Sequence, residues 1–123
     1  MFKVLAFLAK REGIEMQAFI DYYENKHVPL ICSLAPNPIV YKRRYLREKL
    51  TNEGGAIDFD VVTELAFADR SAYLAWMAKL SALGSGEQVA ADEAKFLDRS
   101  RTRAYLVEEF GTSDSVVRQS VSS

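Results

Sequence analysis

The order in which two kinds of apolar pattern follow one another constrains the fold of this chain more than any other feature. Four segments have the short apolar runs or the two-residue alternation of β-strands, and they are residues 2–9, 39–46, 58–67 and 101–110. Helical spacing of apolar side chains marks residues 15–36 and, after Asp69, a pair of further helices. Strand, helix, strand, strand, helix pair, strand is the order of the α+β, ferredoxin-like β-α-β-β-α-β fold, in which helices cover one face of an antiparallel sheet.

The ends of the helices are predicted from capping residues and prolines. Asp69 is a good N-cap for the second helix, and Ser85 with Gln88 has the spacing of a capping box that opens a shorter helix, ending near Leu97. The first helix has no side-chain cap at its start, but Pro36 and Pro38 stop it.

Length, charge and cysteine content narrow the class of protein. We expect one domain, residues 1–110, followed by a flexible serine-rich tail, residues 111–123. Sixteen basic and 17 acidic side chains leave a net charge of −1, which gives no electrostatic basis for binding nucleic acid or an anionic membrane. No apolar stretch approaches the roughly 18–20 residues of a membrane helix, and the N-terminal run is a poor signal peptide. A single cysteine, Cys32, fits a reducing compartment, so a cytoplasmic location is expected.

The helical stripe in residues 15–36 contains the only histidine of the chain. His27 lies four residues after Tyr23 and three before Leu30, so it faces inward with the core residues. Pro29 has no N–H and its ring crowds the carbonyl group of Asn25, which predicts a bend or loosening of the helix at His27. An imidazole at such a bend is a candidate catalytic group. The alternative is a core histidine whose ring is satisfied by a backbone carbonyl.

The predicted strands are apolar on both faces, which bears on assembly. Val4 and Ala6 oppose Leu5 and Phe7 in the first strand, for example. Helices on one face leave the second apolar face to be covered, and the chain has no third layer. We therefore expect a homodimer in which two sheets stack, with an uncovered monomer as the alternative.

Other residues are weaker candidates. Tyr23 lies on the same stripe as His27, and its hydroxyl group could bind a substrate oxygen, although buried tyrosines more often simply pack. Glu93 falls near the inward stripe of the last helix, where it could bind a polar group or instead pair with a neighbouring basic side chain. Trp76 has the spacing of a core residue and, as the alternative, of a cavity wall.

Metal and cofactor sites are disfavoured by the residues available. One histidine and one cysteine cannot make the usual nitrogen and sulfur ligand clusters. The sequence also has no glycine-rich phosphate loop and no nucleophile elbow. We expect no cofactor.

With these elements placed, the chain resembles the EthD family of dimeric α/β barrel proteins. The resemblance rests on Phe19-Ile-Asp-Tyr-Tyr23, His27-Val-Pro29-Leu30 and Tyr41, and on the acidic and aromatic segment of residues 91–98. It implies a dimer of ferredoxin-like protomers, each with a pocket between sheet and helices. By this resemblance Tyr41 is predicted to be catalytic together with His27. Phe19, Tyr23, Trp76 and Glu93 are the residues predicted to bind substrate.

The resemblance also implies a class of chemistry. Proteins that it resembles look like cofactor-free proteins associated with cyclisation, dehydration or decarboxylation of polyketides or with degradation of small organic compounds. The sequence-level hypothesis is a cofactor-free acid/base enzyme of the lyase or cyclase type, acting on a largely apolar carbonyl or phenolic compound. The alternatives are a cofactor-independent oxidoreductase or monooxygenase of an aromatic substrate, and a non-catalytic binder of a hydrophobic small molecule.

Overall fold

Strands and helices follow one another along the chain in the order expected from the apolar patterns. The computed structural model describes residues 1–55 and 58–112. In chain order the elements are β1 (Phe2–Leu8), α1 (Met16–Tyr22), a π-helical turn (Tyr23–His27), α2 (Val28–Leu34), β2 (Val40–Tyr45), β3 (Val61–Phe67), α3 (Arg70–Leu80), α4 (Ser85–Glu93), a 3₁₀ turn (Arg99–Arg101) and β4 (Arg103–Leu106). The last two strands are shorter than expected, since β3 begins at Val61 and β4 ends at Leu106. The expected tail falls largely on residues 113–123, which lie outside the described residues.

The four strands form one antiparallel sheet in the order β2-β3-β1-β4. In its centre, Val4 lies opposite Leu65 and Ala6 opposite Thr63, while β2 pairs with the outer side of β3 and β4 with that of β1. This is the strand order of the ferredoxin-like α+β fold, and that prediction is confirmed.

The first helical region is interrupted where the proline predicts it. The Val28 N–H donates to the carbonyl oxygen of Tyr23, five residues earlier, and this bond closes the π-helical turn that ends at His27. Pro29, in the first turn of α2, has no N–H to extend a regular ladder through this point. The predicted loosening at His27 is therefore confirmed.

Of the two helix caps predicted for α3 and α4, the structure confirms the first and differs at the second. The Asp69 carboxylate accepts a hydrogen bond from the Ala72 N–H at 2.8 Å, as predicted. The capping box predicted at Ser85 and Gln88 is wrong, because the chain turns at Gly84, whose φ is 89°, and the Glu87 carboxylate accepts from the Gly84 N–H. A positive φ favours glycine, so the helix starts one residue earlier than the serine suggests.

The larger core cluster lies between the sheet and the first helical region, and a second cluster, around Val4, Leu65 and Phe67, packs against Tyr73 and Trp76 of α3. The largest fully buried side chains are Phe19, Tyr23, Val61 and Phe96. On β2, Tyr41 and Tyr45 belong to the helix-facing side, since both pack against core residues there. The sequence had left open which side of β2 faces the helices.

The opposite face of the sheet combines apolar side chains with charged ones, including Lys3, Arg44 and the buried carboxylate of Glu64. Leu5, Phe7 and Val62 are only partly buried there. Glu64 is 8% exposed and pairs with Arg44 at 2.7 Å and Lys3 at 3.1 Å. The Arg44 and Lys3 side chains hold the pKa of Glu64 below its usual value. Among the helices that the structure describes, none is long and apolar enough to cross a lipid bilayer.

Candidate active site

A cavity of about 360 Å³ lies between the helix-facing side of the sheet and the helices. Its floor includes Val4 and Leu65 from the two central strands. Most of the side chains that line it are apolar, and His27, Tyr23, Tyr41, Thr63, Trp76 and Glu93 are among the others. Apolar walls with a few convergent polar groups are typical of a small-molecule site.

His27 lies in the cavity wall, where two aromatic rings hold its own ring. It is 6% exposed, with the Tyr23 ring at 5.2 Å and the Phe96 ring at 5.0 Å between centroids. Its Nδ1 atom is 2.6 Å from Oδ2 of Asp92, a carboxylate on α4 that is 9% exposed. The π-helical turn thus brings the only histidine of the chain against a buried carboxylate that lies 65 positions later in the sequence.

Asp92 has a second partner in Tyr22. The Tyr22 hydroxyl group donates to Oδ1 of Asp92 at 2.8 Å. Burial and this hydrogen bond raise the pKa of Tyr22 to about 12, so its hydroxyl group stays protonated and remains a donor near neutral pH. Each oxygen of the Asp92 carboxylate therefore has a partner.

Tyr23 and Tyr41 both lie in the cavity wall. The hydroxyl group of Tyr23 shares a 2.6 Å hydrogen bond with Oγ1 of Thr63. Burial raises the pKa of Tyr23 to about 12, against an opposing effect of the Thr63 hydrogen bond. Burial also raises the pKa of Tyr41. Both phenols therefore stay neutral and can donate hydrogen bonds to a ligand oxygen.

A half-buried ion pair attaches the π-helical turn to β2. The Arg43 guanidinium group donates two hydrogen bonds to the Glu24 carboxylate, at 2.9 and 2.5 Å, and the Tyr45 hydroxyl group donates a third. Arg43 also lies over the Tyr41 ring at 4.9 Å. The Arg43 bonds hold the pKa of Glu24 below its usual value, so the carboxylate is ionised across the neutral range.

Glu93 and Trp76 lie in the cavity wall as well. Glu93 pairs with Arg99 at 3.2 Å, which is one of the partners that the sequence allowed for it. Trp76 also borders a neighbouring cavity of about 310 Å³, which adjoins the start of β2. Its Nε1 atom is buried and has no hydrogen-bond partner among the described residues.

Phe19 is the one predicted site residue that does not reach the cavity. Its side chain is fully buried and packs against Tyr23, Tyr45 and Phe96 in the core. The helical turn between Phe19 and Tyr23 places Phe19 farther from the cavity. Its position makes it a support for Tyr23 rather than a lining residue.

Sequence reasoning missed Thr63 and Asp92, and it considered Tyr22 only as a donor to substrate and not as a neighbour of His27. Tyr22 and His27 are five residues apart, which a spacing of 3.6 residues per turn does not place together, whereas a π-helical turn does. Asp92 stands beside Glu93 in the acidic segment, but periodicity alone does not say which of the two meets the histidine. Thr63 lies on β3, and alternation alone does not say which of the two sets of side chains on that strand faces the helices.

The polar groups of the site suit proton transfer. They include the His27 imidazole, the neutral phenols of Tyr23 and Tyr41 and the Thr63 hydroxyl group around a largely apolar space. In residues 1–55 and 58–112 no group of three histidine, cysteine, aspartate or glutamate side chains is placed to bind a metal ion. An imidazole in such a space can accept a proton from an acidic C–H or O–H group and return it elsewhere.

The fold is similar to several solved structures. An EthD family protein from Bacillus halodurans aligns at 21% identity with a TM-score of 0.61, covering 89% of this chain and all of that one. HapK from Hahella chejuensis aligns at 13% identity with a TM-score of 0.57, covering 92% and 98% of the two chains. A NIPSNAP domain protein from Burkholderia xenovorans aligns at 15% identity with a TM-score of 0.59, covering 92% and 98%.

At these identities the likenesses concern the fold. No curated protein sequence matches the chain. The family model of the EthD domain matches residues 11–100, which include the π-helical turn, His27 and Asp92. The chain therefore belongs to the EthD family.

Proposed function

We propose that this protein is a cofactor-free enzyme in which His27 acts as general acid and base on a small, largely apolar carbonyl or phenolic compound. The observation that carries the proposal is the position of His27, whose ring lines an apolar cavity while its Nδ1 atom is hydrogen-bonded to a buried carboxylate. A positioned imidazole near neutral pH typically contributes about 10²–10⁴-fold to a proton-transfer step. Cyclisation, dehydration and decarboxylation all use such a step.

The tyrosines have a separate role in this proposal. Tyr23 and Tyr41 donate hydrogen bonds to the substrate oxygen on which negative charge develops as an enolate or enol forms. Their raised pKa values favour the neutral, donating form. The Tyr23 hydroxyl group already shares a hydrogen bond with Thr63 in the absence of a ligand.

The charges in the cavity wall favour an uncharged substrate. Glu93 and Arg99 are the carboxylate and guanidinium groups that the described residues place in this wall, and they pair with each other. An anionic ligand near Arg99 would also lie near the Glu93 carboxylate and be repelled by it. An uncharged polyketide-like or phenolic compound meets no such repulsion.

We also propose that the protein is a homodimer in which two sheets stack through the open face. Leu5, Phe7 and Val62 remain partly exposed on that face, and none of the helices in residues 1–55 and 58–112 covers it. Apolar patches of this kind typically mark protein interfaces. The resemblance to dimeric α/β barrel proteins supports a second copy of this chain as the partner.

The experiment that tests the function compares His27→Gln with the wild type on a panel of phenolic and 1,3-dicarbonyl compounds. Trp76 is the only tryptophan of the chain and lies in the cavity wall, so its fluorescence reports binding separately from turnover. We expect His27→Gln to bind the same compounds while product formation falls about 100-fold or more. Lys26→Gln, an exposed neighbour, is the matched control.

The outcomes separate the competing functions. Unchanged turnover in His27→Gln would refute the acid/base role. Saturable binding without any product, in both wild type and variant, would identify a non-catalytic binder. Oxygen consumption with a polyphenolic substrate would identify a cofactor-independent oxygenase instead of a lyase or cyclase.

A further inference from the structure

The Asp92 carboxylate lies between two donors that come from the same helical region. Its Oδ2 atom is 2.6 Å from Nδ1 of His27, and its Oδ1 atom accepts the Tyr22 hydroxyl hydrogen at 2.8 Å. Asp92 does not line the cavity, whereas His27 does. The carboxylate therefore reaches the cavity only through the imidazole ring.

The chemistry of the two groups decides where the proton between them resides. An ionised carboxylate can only accept hydrogen bonds, and a neutral imidazole carries its single N–H on either Nδ1 or Nε2. A carboxylic acid is ordinarily a stronger acid than imidazolium, so the proton between Asp92 and His27 belongs to Nδ1. With the proton on Nδ1, the lone pair is on Nε2.

We propose that Asp92, anchored by Tyr22, is a positioning residue that fixes His27 in the Nδ1–H tautomer, so that Nε2 is the atom that accepts the substrate proton. The same carboxylate offsets the positive charge that the ring acquires when it takes up that proton in a buried site. For its catalytic consequence this inference rests on the proposed function. The tautomer itself does not depend on that function.

The π-helical turn is what allows Tyr22 and His27 to share one carboxylate. In a regular helix, residues five apart point about 140° away from each other. The wider turn closed by Val28 and Tyr23 brings the two side chains to the same side, where Asp92 on α4 meets both. The packing of the Tyr22 ring against Phe96, at 5.0 Å between centroids, holds the donor in place.

Nitrogen-15 NMR of the full chain tests the inference without any substrate. Because the chain has one histidine, selective ¹⁵N labelling of histidine side chains yields a single pair of ring nitrogens. At about pH 9, where an ordinary histidine is neutral, we expect a protonated, pyrrole-like Nδ1 and a pyridine-like Nε2 in the wild type. A wild-type spectrum with the proton on Nε2 would overturn the proposal, whether or not any variant folds.

Variants then assign the effect to Asp92. In Asp92→Asn the ring loses its anionic acceptor, and we expect the spectrum to shift toward the Nε2–H form. Tyr22→Phe leaves the carboxylate but removes its anchor, so a smaller shift in the same direction is expected. Glu93→Gln, next to Asp92 but paired with Arg99, is the matched control and should leave the two resonances in place. Equal spectra for wild type and a folded Asp92→Asn would contradict the role of Asp92.

The test also separates this inference from the proposed function. If His27 has the Nδ1–H tautomer and loses it in Asp92→Asn, the positioning role holds even when no compound of the panel is turned over. If turnover depends on His27 but not on Asp92, the acid/base function stands and the positioning role fails. With both correct, Asp92→Asn lowers kcat about tenfold or more while binding, read by Trp76 fluorescence, stays within about twofold.

Discussion

The hydroxyl groups of Tyr23 and Thr63 lie 2.6 Å apart and share a hydrogen bond at the wall of the cavity. Tyr23 begins the π-helical turn, and Thr63 is in the middle of β3. Both residues are almost completely buried, at 2% and 3% exposed. The bond therefore joins the segment that carries His27 to the centre of the sheet.

Replacing Thr63 with valine tests how strongly this bond holds the segment. Valine keeps the shape but leaves the buried Tyr23 hydroxyl group without its partner, which typically costs about 1–3 kcal/mol. Urea unfolding should show this loss in the free energy of unfolding. Thr102→Val, at an exposed position of the same cavity, should change that free energy by less than about 0.5 kcal/mol.

A double-mutant cycle isolates the pair itself. Tyr23→Phe combined with Thr63→Val removes both hydroxyl groups, so neither is left unsatisfied. We expect the double variant to be less destabilised than the sum of the two single variants, by about 1 kcal/mol. Strict additivity would show that the two hydroxyl groups do not interact energetically.

The Glu24 and Arg43 ion pair predicts a dependence of stability on pH. Arg43 lowers the pKa of Glu24 in the folded protein relative to the unfolded chain. The stabilisation is therefore complete above the ordinary glutamate pKa of about 4.3 and is lost as the pH falls through the lower, folded value. At pH 7 we expect Glu24→Gln to lower the free energy of unfolding by about 1 kcal/mol, a modest value because the pair is partly exposed to solvent.

Urea unfolding of wild type and Glu24→Gln between pH 3 and pH 7 measures this difference. It should shrink toward zero at the acidic end. The exposed Glu12→Gln serves as the control, with a small difference at every pH. A wild-type advantage that is constant or grows on acidification would contradict the assignment.

The proposed homodimer predicts a mass in solution twice the 13.9 kDa of the chain. Val62→Glu places a charge in the centre of the open face, where it would break the stacking of two sheets. In the monomer, residue 62 lies opposite Arg44, which gives a glutamate there a basic neighbour. Size-exclusion chromatography with light scattering should show a dimer for the wild type and a monomer for Val62→Glu.

The control for the dimer is Leu74→Glu. Leu74 is 54% exposed on α3, on the helical side of the sheet. This variant adds the same charge and removes the same kind of side chain, but it should remain dimeric. A wild-type monomer at micromolar concentration would refute the homodimer.

Local patterns were sufficient to predict the order of the strands and helices and the inward position of His27. Helical spacing placed His27 on the inward side, and the missing N–H of Pro29 predicted the irregular turn that the structure shows. Local rules failed where a neighbour competed, as at Ser85, because Gly84 takes the cap with a backbone conformation that favours glycine. Helical spacing also does not say whether an inward residue faces the core or the cavity, and Phe19 packs in the core.

By itself, the sequence determined the order of the elements, the inward position of the only histidine and the interruption of its helix, because each depends on residues a few positions apart. Only the tertiary structure decided that Asp92, and not its neighbour Glu93, meets His27. Adjacent helical residues point about 100° apart, so the choice depends on how α4 is rotated against the first helical region. In that orientation Phe96, just after α4, packs against Phe19, Tyr22 and Tyr23. These contacts join residues more than 70 positions apart in the chain.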